Sequence, residues 1–133
     1  MADQDEPVTV RLRVPAQPHL VRMARLASSA LATVGGADIE TIDDIKIAVD
    51  EVCASLIEAG DGSDVDVEFV LDGDQLSIIG QTPGATTIEI DAERFALSRQ
   101  ILRAVAERHD LTTEGGMVRF AVTCALQGPP DGA

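Results

Sequence analysis

The segment that decides the fold reads DIKIAVDEVC and occupies positions 44–53. Its apolar residues recur every three or four positions, which places them along one side of an α-helix. The pattern continues to about Ala59, where Gly60 and Gly62 end the helix. Thr41 followed by Asp44 predicts a capping box at the start, with Asp in place of the commoner Glu. The residues predicted to be buried are Ile45, Ala48, Val49, Val52, Cys53, Leu56 and Ile57.

Strands are predicted on both sides of this helix, wherever apolar and polar residues alternate. In chain order they cover 8–14, 65–71, 76–80, 87–90, 111–113 and 118–126. Asp72-Gly73 predicts a tight hairpin between the second and third strands. Segment 76–80 contains Ser77 as its only polar residue, which favours a central place in the sheet.

Two further helices are predicted from helical spacing. The first runs from about 20 to 34, ends at Gly35-Gly36, and directs inward Leu20, Met23, Ala27, Leu31 and Val34. The second runs from about 91 to 109, is capped by Asp91, and directs inward Phe95, Ile101, Leu102 and Val105. His109 then lies at a helix C-terminus, where its positive charge is favourable. Arg94, Arg99, Arg103 and Arg108 are expected to line a solvated helix face, although they also suit an acidic partner.

The order of elements predicts an α+β fold of two layers. A mostly antiparallel mixed sheet of about five strands is covered on one face by three helices. The length of 133 residues suits one domain spanning 1–133, with loose tails at 1–6 and 127–133.

Composition narrows the classes of function. The chain has 23 acidic and 10 basic residues, a net charge of −13, which argues against binding nucleic acid and suits a basic protein partner. No apolar run approaches the roughly 20 residues of a membrane span, and residues 1–6 are unlike a signal peptide, so the cytoplasm is expected, with no membrane partner. Cys53 and Cys124 lie in apolar runs, and with His19 and His109 they lack metal-ligand spacing.

The segment IKIAVDEVC at 45–53 resembles the N-box motif of anti-sigma factor serine kinases, which commonly reads KIAVSEAC. These form an RsbW-like branch of the histidine-kinase-like (GHKL) ATPase superfamily, and the order of elements is similar over about 8–126. The resemblance implies the histidine-kinase-like ATPase fold, and ATP with Mg²⁺ as cofactor. The partners it implies are a sigma factor, an anti-sigma-factor antagonist of the STAS type and a second copy in a homodimer.

The resemblance also implies roles for two residues of this helix. Glu51 matches the family's general base. The family's Asn, four residues later on the same helix face, holds Mg²⁺ on the phosphates. Ser55 stands there instead, as the candidate ligand for Mg²⁺ and nucleotide, and its short hydroxyl is a poorer ligand than an amide oxygen.

The other nucleotide motifs depart from the family pattern. Where the family has Asp-x-Gly-x-Gly after its central strand, positions 80–84 read GQTPG, leaving Gln81 and Gly84 as candidate nucleotide contacts. The last helix begins without glycine, and Asp91 and Glu93 would repel phosphates there. About ten residues separate the central strand from this helix, too few for an enclosing ATP lid.

Three functions remain open from the sequence. The lost motifs favour an anti-sigma factor that sequesters a sigma factor without catalysis and without a nucleotide. Glu51 supports an ATP-dependent serine kinase acting on the antagonist. A non-catalytic dimerisation or scaffold domain is the third reading.

Overall fold

The computed structural model describes residues 6–84 and 92–127, and the side chains of 92–95 are outside that description. The sheet contains β1 (Val8–Val14), β2 (Val65–Asp72), β3 (Gln75–Pro83), β4 (Arg108–Glu114) and β5 (Met117–Ala125). The helices are α1 (Val21–Val34), which follows a single 3-10 turn at Pro18–Leu20, then α2 (Ile39–Ala59) and α3 (Ala92–Val105). The predicted strand at 87–90, the Asp91 cap and most of both predicted tails lie outside the described residues.

The five strands form one sheet in the order β1-β2-β3-β5-β4, and each neighbouring pair is antiparallel. The β2–β3 hairpin turns at Gly73, whose φ of 61° suits glycine. All three helices lie over one face of the sheet. The predicted α+β two-layer architecture is therefore confirmed, and β3 is central as expected. Among the described residues, no helix is long and apolar enough to cross a membrane.

The core is centred on the contact between α2 and β3. On α2, six of the seven residues predicted to be buried are buried, and Ile57 is partly covered. Gly80 on β3 lies beneath this helix, and a Cβ added there would collide with Leu56 and come within 3.1 Å of Val52 Cγ1. Glycine at position 80 therefore allows the central helix to approach the central strand closely.

The start of α2 differs from the prediction. The cap is Asp38, whose Oδ1 accepts a hydrogen bond from the Thr41 backbone N–H at 2.8 Å. This bond holds the pKa of Asp38 below its usual value. The capping box predicted from Thr41 and Asp44 is wrong, because the helix begins one turn earlier, where Asp38 has an extended backbone and its carboxylate accepts from one of the free N–H groups.

The buried side of α1 also differs from the prediction. Leu31 is buried, but Met23 and Val34 are 52% and 75% exposed. The buried residues are instead Val21, Ala24, Ser28, Leu31 and Ala32. The prediction is correct for Leu31 and for Ala27, which packs against the core, but α1 carries apolar residues on two sides and periodicity alone does not separate them. The exposed residues Met23, Leu26, Ala30 and Val34 recur at spacings of three and four, and we call them the α1 stripe.

The predicted end of α3 is wrong as well. The helix ends at Val105, and His109 lies on the edge strand β4 rather than at a helix C-terminus. Burial lowers the pKa of His109, and the nearby charges of Arg99 and Arg103 lower it further, against a smaller opposing effect of Asp110. The environment thus disfavours the positive charge that a helix end would have favoured.

Replacing Gly80 tests the close approach of α2 to β3. Gly80→Val is expected to lower the free energy of unfolding by about 2–3 kcal/mol, because the new side chain collides with Leu56 and Val52. Urea denaturation measures this value. Ser77→Val, on the opposite face of the same strand, is the matched control and should change it by less than about 0.5 kcal/mol. Equal effects of the two substitutions would contradict the packing described.

The environment of His109 predicts a pH dependence of stability. Because its pKa in the folded protein is lowered from 6.5, the unfolded chain binds a proton more readily, and stability falls as the pH drops below about 6.5. His109→Gln should therefore lose less stability than wild type between pH 7.5 and 5.5 in thermal denaturation. His19→Gln, at an exposed histidine, is the matched control for the loss of an imidazole from the surface. Identical pH profiles for His109→Gln and wild type would refute the assignment.

Candidate functional site

Two neighbouring carboxylates on α2 point to different helices. Asp50 accepts hydrogen bonds on Oδ1 from Arg25 of α1, from Nη2 at 2.8 Å and from Nε at 3.0 Å. Glu51 accepts a hydrogen bond on Oε2 from Ser98 of α3 at 2.7 Å. Successive helix positions are rotated by 100°, so one residue can serve each side. The pair Asp50-Glu51 therefore connects α2 to both of its neighbours.

The contact with Ser98 places Glu51 inside an interface between helices. Glu51 is half-buried, and Ser98 is only 2% exposed. A charged acceptor makes this hydrogen bond stronger than one between neutral groups. Glu51, the candidate general base, therefore already accepts a hydrogen bond from a side chain of the same protein.

Ser98 is the site residue that sequence reasoning missed. It lies four positions before the buried Leu102, on the side of α3 that faces inward. A serine in such a position requires a hydrogen-bond partner when it is buried. This periodicity was the available signal, but the identity of the partner depends on how α2 and α3 pack.

Ser55 lies one turn beyond Glu51 on α2 and is 9% exposed. The spacing of four puts the two residues on the same side of the helix, as predicted. Burial leaves little of Ser55 accessible, and its side chain is short. In this structure its position is that of a buried packing residue beside Glu51.

Gln81 is separated from these residues by the sheet. It is exposed and alternates on β3 with the inward residues Gly80 and Thr82. It lines a shallow groove of about 670 Å³ on the face of the sheet opposite the helices, with Arg13, Arg119 and other strand residues. The structure therefore does not bring Gln81 together with Glu51 and Ser55.

Gly84 lies where β3 ends, and its surroundings are backbone and apolar groups. It forms an isolated bridge with Gly60, and its N–H donates to the Gly116 carbonyl at 2.9 Å. A Cβ at this position would come within 2.7 Å of Val118 Cγ2 and 2.8 Å of the Ala59 carbonyl oxygen. Close packing is thus a sufficient reason for glycine at this position.

The polar residue of this segment that does face the helices is Thr82, to which the sequence assigned no role. It is 1% exposed, and its hydroxyl donates to the Asp64 carbonyl at 3.0 Å. Its bond joins the end of β3 to the loop before β2. The hydroxyl is therefore already engaged in a structural contact.

These positions limit what the site can do chemically. Glu51 is in contact with Ser98, and Ser55 lies one turn further along α2, whereas the neighbouring carboxylate of Asp50 binds Arg25 of α1. No cluster of His, Cys, Asp and Glu suited to a metal occurs among the residues the structure describes. This set of donors does not fit the ATP–Mg²⁺ group that the resemblance implies. Burial raises the pKa values of the Cys53 and Cys124 thiols to about 12, so neither is a ready nucleophile.

Comparison with known proteins extends these observations. The chain is 32% identical over 126 residues to the serine-protein kinase RsbW of Listeria monocytogenes serotype 4a (strain HCC23), covering 92% of this chain and 76% of that protein. It is 31% identical over 114 residues to RsbW of Bacillus subtilis (strain 168), covering 81% and 68%. This chain belongs to the RsbW serine-protein kinase family. It is also 33% identical over 94 residues to RsbW of Halalkalibacterium halodurans, of which it spans 57%. No family model matches the chain.

Solved structures agree on the fold. The structure of the RsbU and RsbW domains of Rv1364c from Mycobacterium tuberculosis matches with a TM-score of 0.70 at 20% identity, covering 92% of this chain and 33% of that chain. The SiaB–SiaC complex from Pseudomonas aeruginosa matches with a TM-score of 0.59 at 10% identity, covering 86% and 88%. The predicted membership and fold are confirmed.

A double-mutant cycle tests the contact between Glu51 and Ser98. Ser98→Ala is expected to lower the free energy of unfolding by about 1–2 kcal/mol, because it removes a hydrogen bond to a half-buried carboxylate. Combined with Glu51→Ala in urea denaturation, it should reveal a coupling of about 1 kcal/mol. Ser29→Ala, which removes only a bond to the Arg25 carbonyl within α1, is the matched control and should be nearly neutral. Strict additivity of the two site substitutions would contradict the contact.

Proposed function

We propose that this protein is an anti-sigma regulatory factor that binds and sequesters an alternative sigma factor without catalysis. The observation that carries the proposal is the hydrogen bond from Ser98 to Glu51. This bond gives Glu51, the N-box residue that the chain retains, a role in the contact between α2 and α3. Membership in the RsbW family supplies the regulatory context, and the cytoplasm, where RNA polymerase acts, is the proposed location.

The proposed loss of catalysis rests on the arrangement of the candidate residues. Phosphoryl transfer depends on positioned metal ions and charge stabilisation in an enclosed site. Here Ser55 replaces an amide, and Gln81 lies across the sheet from Glu51. A carboxylate without those partners cannot supply this stabilisation.

Two surface features support a role in binding a protein. The α1 stripe exposes apolar side chains on a helix that also packs on the core, with Leu26 at 64% and Val34 at 75% exposure. Apolar surface of this kind marks an interaction site when it is contiguous. The net charge of −13 favours a partner with a basic surface over nucleic acid.

Co-expression with a panel of alternative sigma factors tests the proposal. We expect one sigma factor to co-purify in EDTA without added nucleotide, since binding is steric. Glu51→Ala should change the affinity by less than about twofold, whereas Leu26→Asp should weaken it at least about tenfold through a charge in apolar contact. Thr112→Asp, exposed on the far side of the sheet, is the matched control. Failure to bind any sigma factor in the panel would count heavily against the proposal.

The alternative function is an ATP-dependent serine kinase that phosphorylates an anti-sigma-factor antagonist. It is favoured by the similarity to proteins named serine-protein kinase RsbW, at about 30% identity over most of the chain. Isothermal titration with MgATP separates the two functions. We expect no binding at millimolar nucleotide. Binding accompanied by Glu51-dependent phosphorylation of a STAS-type antagonist would establish the kinase instead.

A further inference from the structure

The strand β4 forms one edge of the sheet. Among the elements that the structure describes, it pairs only with β5. The two strands join at Gly115-Gly116, whose φ values of 59° and 79° fit the two-residue type I′ turn of a tight hairpin. Glu114 and Met117 flank this turn and face each other. In a hairpin of this kind the flanking residues form the first hydrogen-bonded pair, which fixes where every backbone group of β4 points.

Hydrogen-bonded and non-hydrogen-bonded pairs alternate along an antiparallel ladder. Counted back from Glu114, every second residue of β4 therefore directs its backbone N–H and C=O groups to β5. The residues between them, His109, Leu111 and Thr113, direct these groups away from the sheet. Their side chains lie on the side of the helices, because the register pairs them with buried residues of β5, namely Val122, Phe120 and Val118. The open edge thus offers backbone donors and acceptors at three alternate positions.

The helix α3 adds positive charge above this edge. Ser98 and Leu102 are buried and define the inward side of α3. Arg99 and Arg103 follow them directly, about 100° further round the helix, and are exposed. Burial, and then the charges of Arg99 and Arg103, lower the pKa of His109. Both guanidinium groups therefore act on the helix side of β4, where His109 lies.

The acidic residue nearest to this place belongs to the other side of the sheet. Asp110 opposes the effect of the arginines on the pKa of His109 only weakly, and it pairs with Ala121 on the face away from the helices. Arg108, predicted to share a helix face with the other arginines, also lies on β4 and points to that far face. In a chain of net charge −13, the helix side of the β4 edge is thus locally basic.

We propose that β4 accepts an extended acidic segment of a partner protein as a sixth, antiparallel strand. The segment's backbone pairs with the open groups of His109, Leu111 and Thr113. An acidic side chain opposite His109 lies next to Arg99 and Arg103. An apolar side chain opposite the half-buried Leu111 continues the core. Strand addition takes its affinity from backbone hydrogen bonds and its specificity from alternate side chains, so the pattern recognised is acidic, any residue, apolar.

The other edge strand lacks this combination of features. The arginines of β1 are already paired, Arg11 with Glu68 and Arg13 with Asp66, each at 2.8 Å, and they lie on the face away from the helices. A second copy of this chain is also a poor occupant of β4. Two paired β4 strands would bring the α3 arginines of both copies to one edge, and like charges across an interface are unfavourable. Charge complementarity therefore favours an acidic segment of a different protein.

Fluorescence anisotropy with a labelled synthetic peptide and the full chain tests the proposal. The peptide Thr-Glu-Thr-Val-Thr-Glu-Thr matches the seven residues of β4 and places Glu and Val at the inward positions. We expect saturable binding that weakens as the salt concentration rises, because charge pairs contribute to it. The same peptide with Gln in place of both Glu residues should bind at least about tenfold more weakly.

Two N-methylated versions of the peptide test the strand pairing itself. Methylation of the Glu and Val amides removes the donors that point to β4 in an antiparallel arrangement, and it should abolish binding. Methylation of the Thr amides between them, which point to solvent, should leave binding unchanged. Equal affinity of the two versions would show that backbone pairing does not hold the peptide, and it would overturn the proposal.

Substitutions in the protein test the two halves of the surface. Arg103→Glu should weaken binding at least about tenfold, whereas Arg103→Lys should retain most of it. Arg22→Glu, at an exposed arginine of α1, is the matched charge reversal and should bind like wild type. Thr113→Pro removes one open backbone N–H without breaking a bond to β5, and it should weaken binding at least about tenfold. Thr113→Val keeps that N–H and is its matched control.

Circular dichroism and thermal denaturation establish that each variant is folded. Absence of binding at about 1 mM peptide would overturn the proposal. So would binding that Arg103→Glu leaves unchanged. Self-association that Thr113→Pro abolishes and that the peptide does not displace would replace the partner segment by a second copy, and would overturn it too. The measurement contains no sigma factor, and α2 separates α3 from α1, so this proposal and the proposed function can fail independently.

Discussion

The absence of a side chain at Gly80 is the constraint on which most of this structure depends. Because Gly80 has no Cβ, α2 packs closely against the middle strand, and Leu56 and Val52 occupy the space that a side chain would fill. Because α2 is the middle helix, its position determines where α1 and α3 can pack. The adjacent residues Asp50 and Glu51 then hold those two helices by polar contacts on opposite sides. Close packing at one glycine thus determines the surroundings of the candidate site.

How much of this could be predicted depended on how strong the local signal was. The apolar side of α2 and the central place of β3 follow from the apolar patterns that are typical of a buried helix and a buried strand. The interior side of α1 was predicted only in part: Leu31 is buried as expected, but Met23 and Val34 are exposed, because the helix has apolar residues on two sides. The predicted end of α3 was wrong for a related reason. His109 belongs to the edge strand β4, where it pairs with Val122 of β5, and only the assembled sheet defines that strand.

The candidate site shows the same division between local and tertiary information. The spacing of Glu51 and Ser55 places them on one side of a helix, as helical geometry requires. The face on which Gln81 lies follows from the alternation of β3, but only once Gly80 is known to point toward α2. The partner of Glu51 could not be foreseen, because Ser98 is 47 residues away and meets it only through packing of α2 on α3. The residue types could be read from the sequence, but the distances between helices and strands could not be predicted from it.

A carboxylate retained from a catalytic helix need not report catalysis. Glu51 has a sufficient structural role here, since it accepts the hydrogen bond of a serine hydroxyl that is buried between two helices. That role requires neither an amide four residues later nor a carboxylate after the central strand, which is consistent with Ser55 and with the sequence at 80–84. The proposed binding function needs a rigid scaffold that presents exposed surfaces, and α2 provides the rigidity.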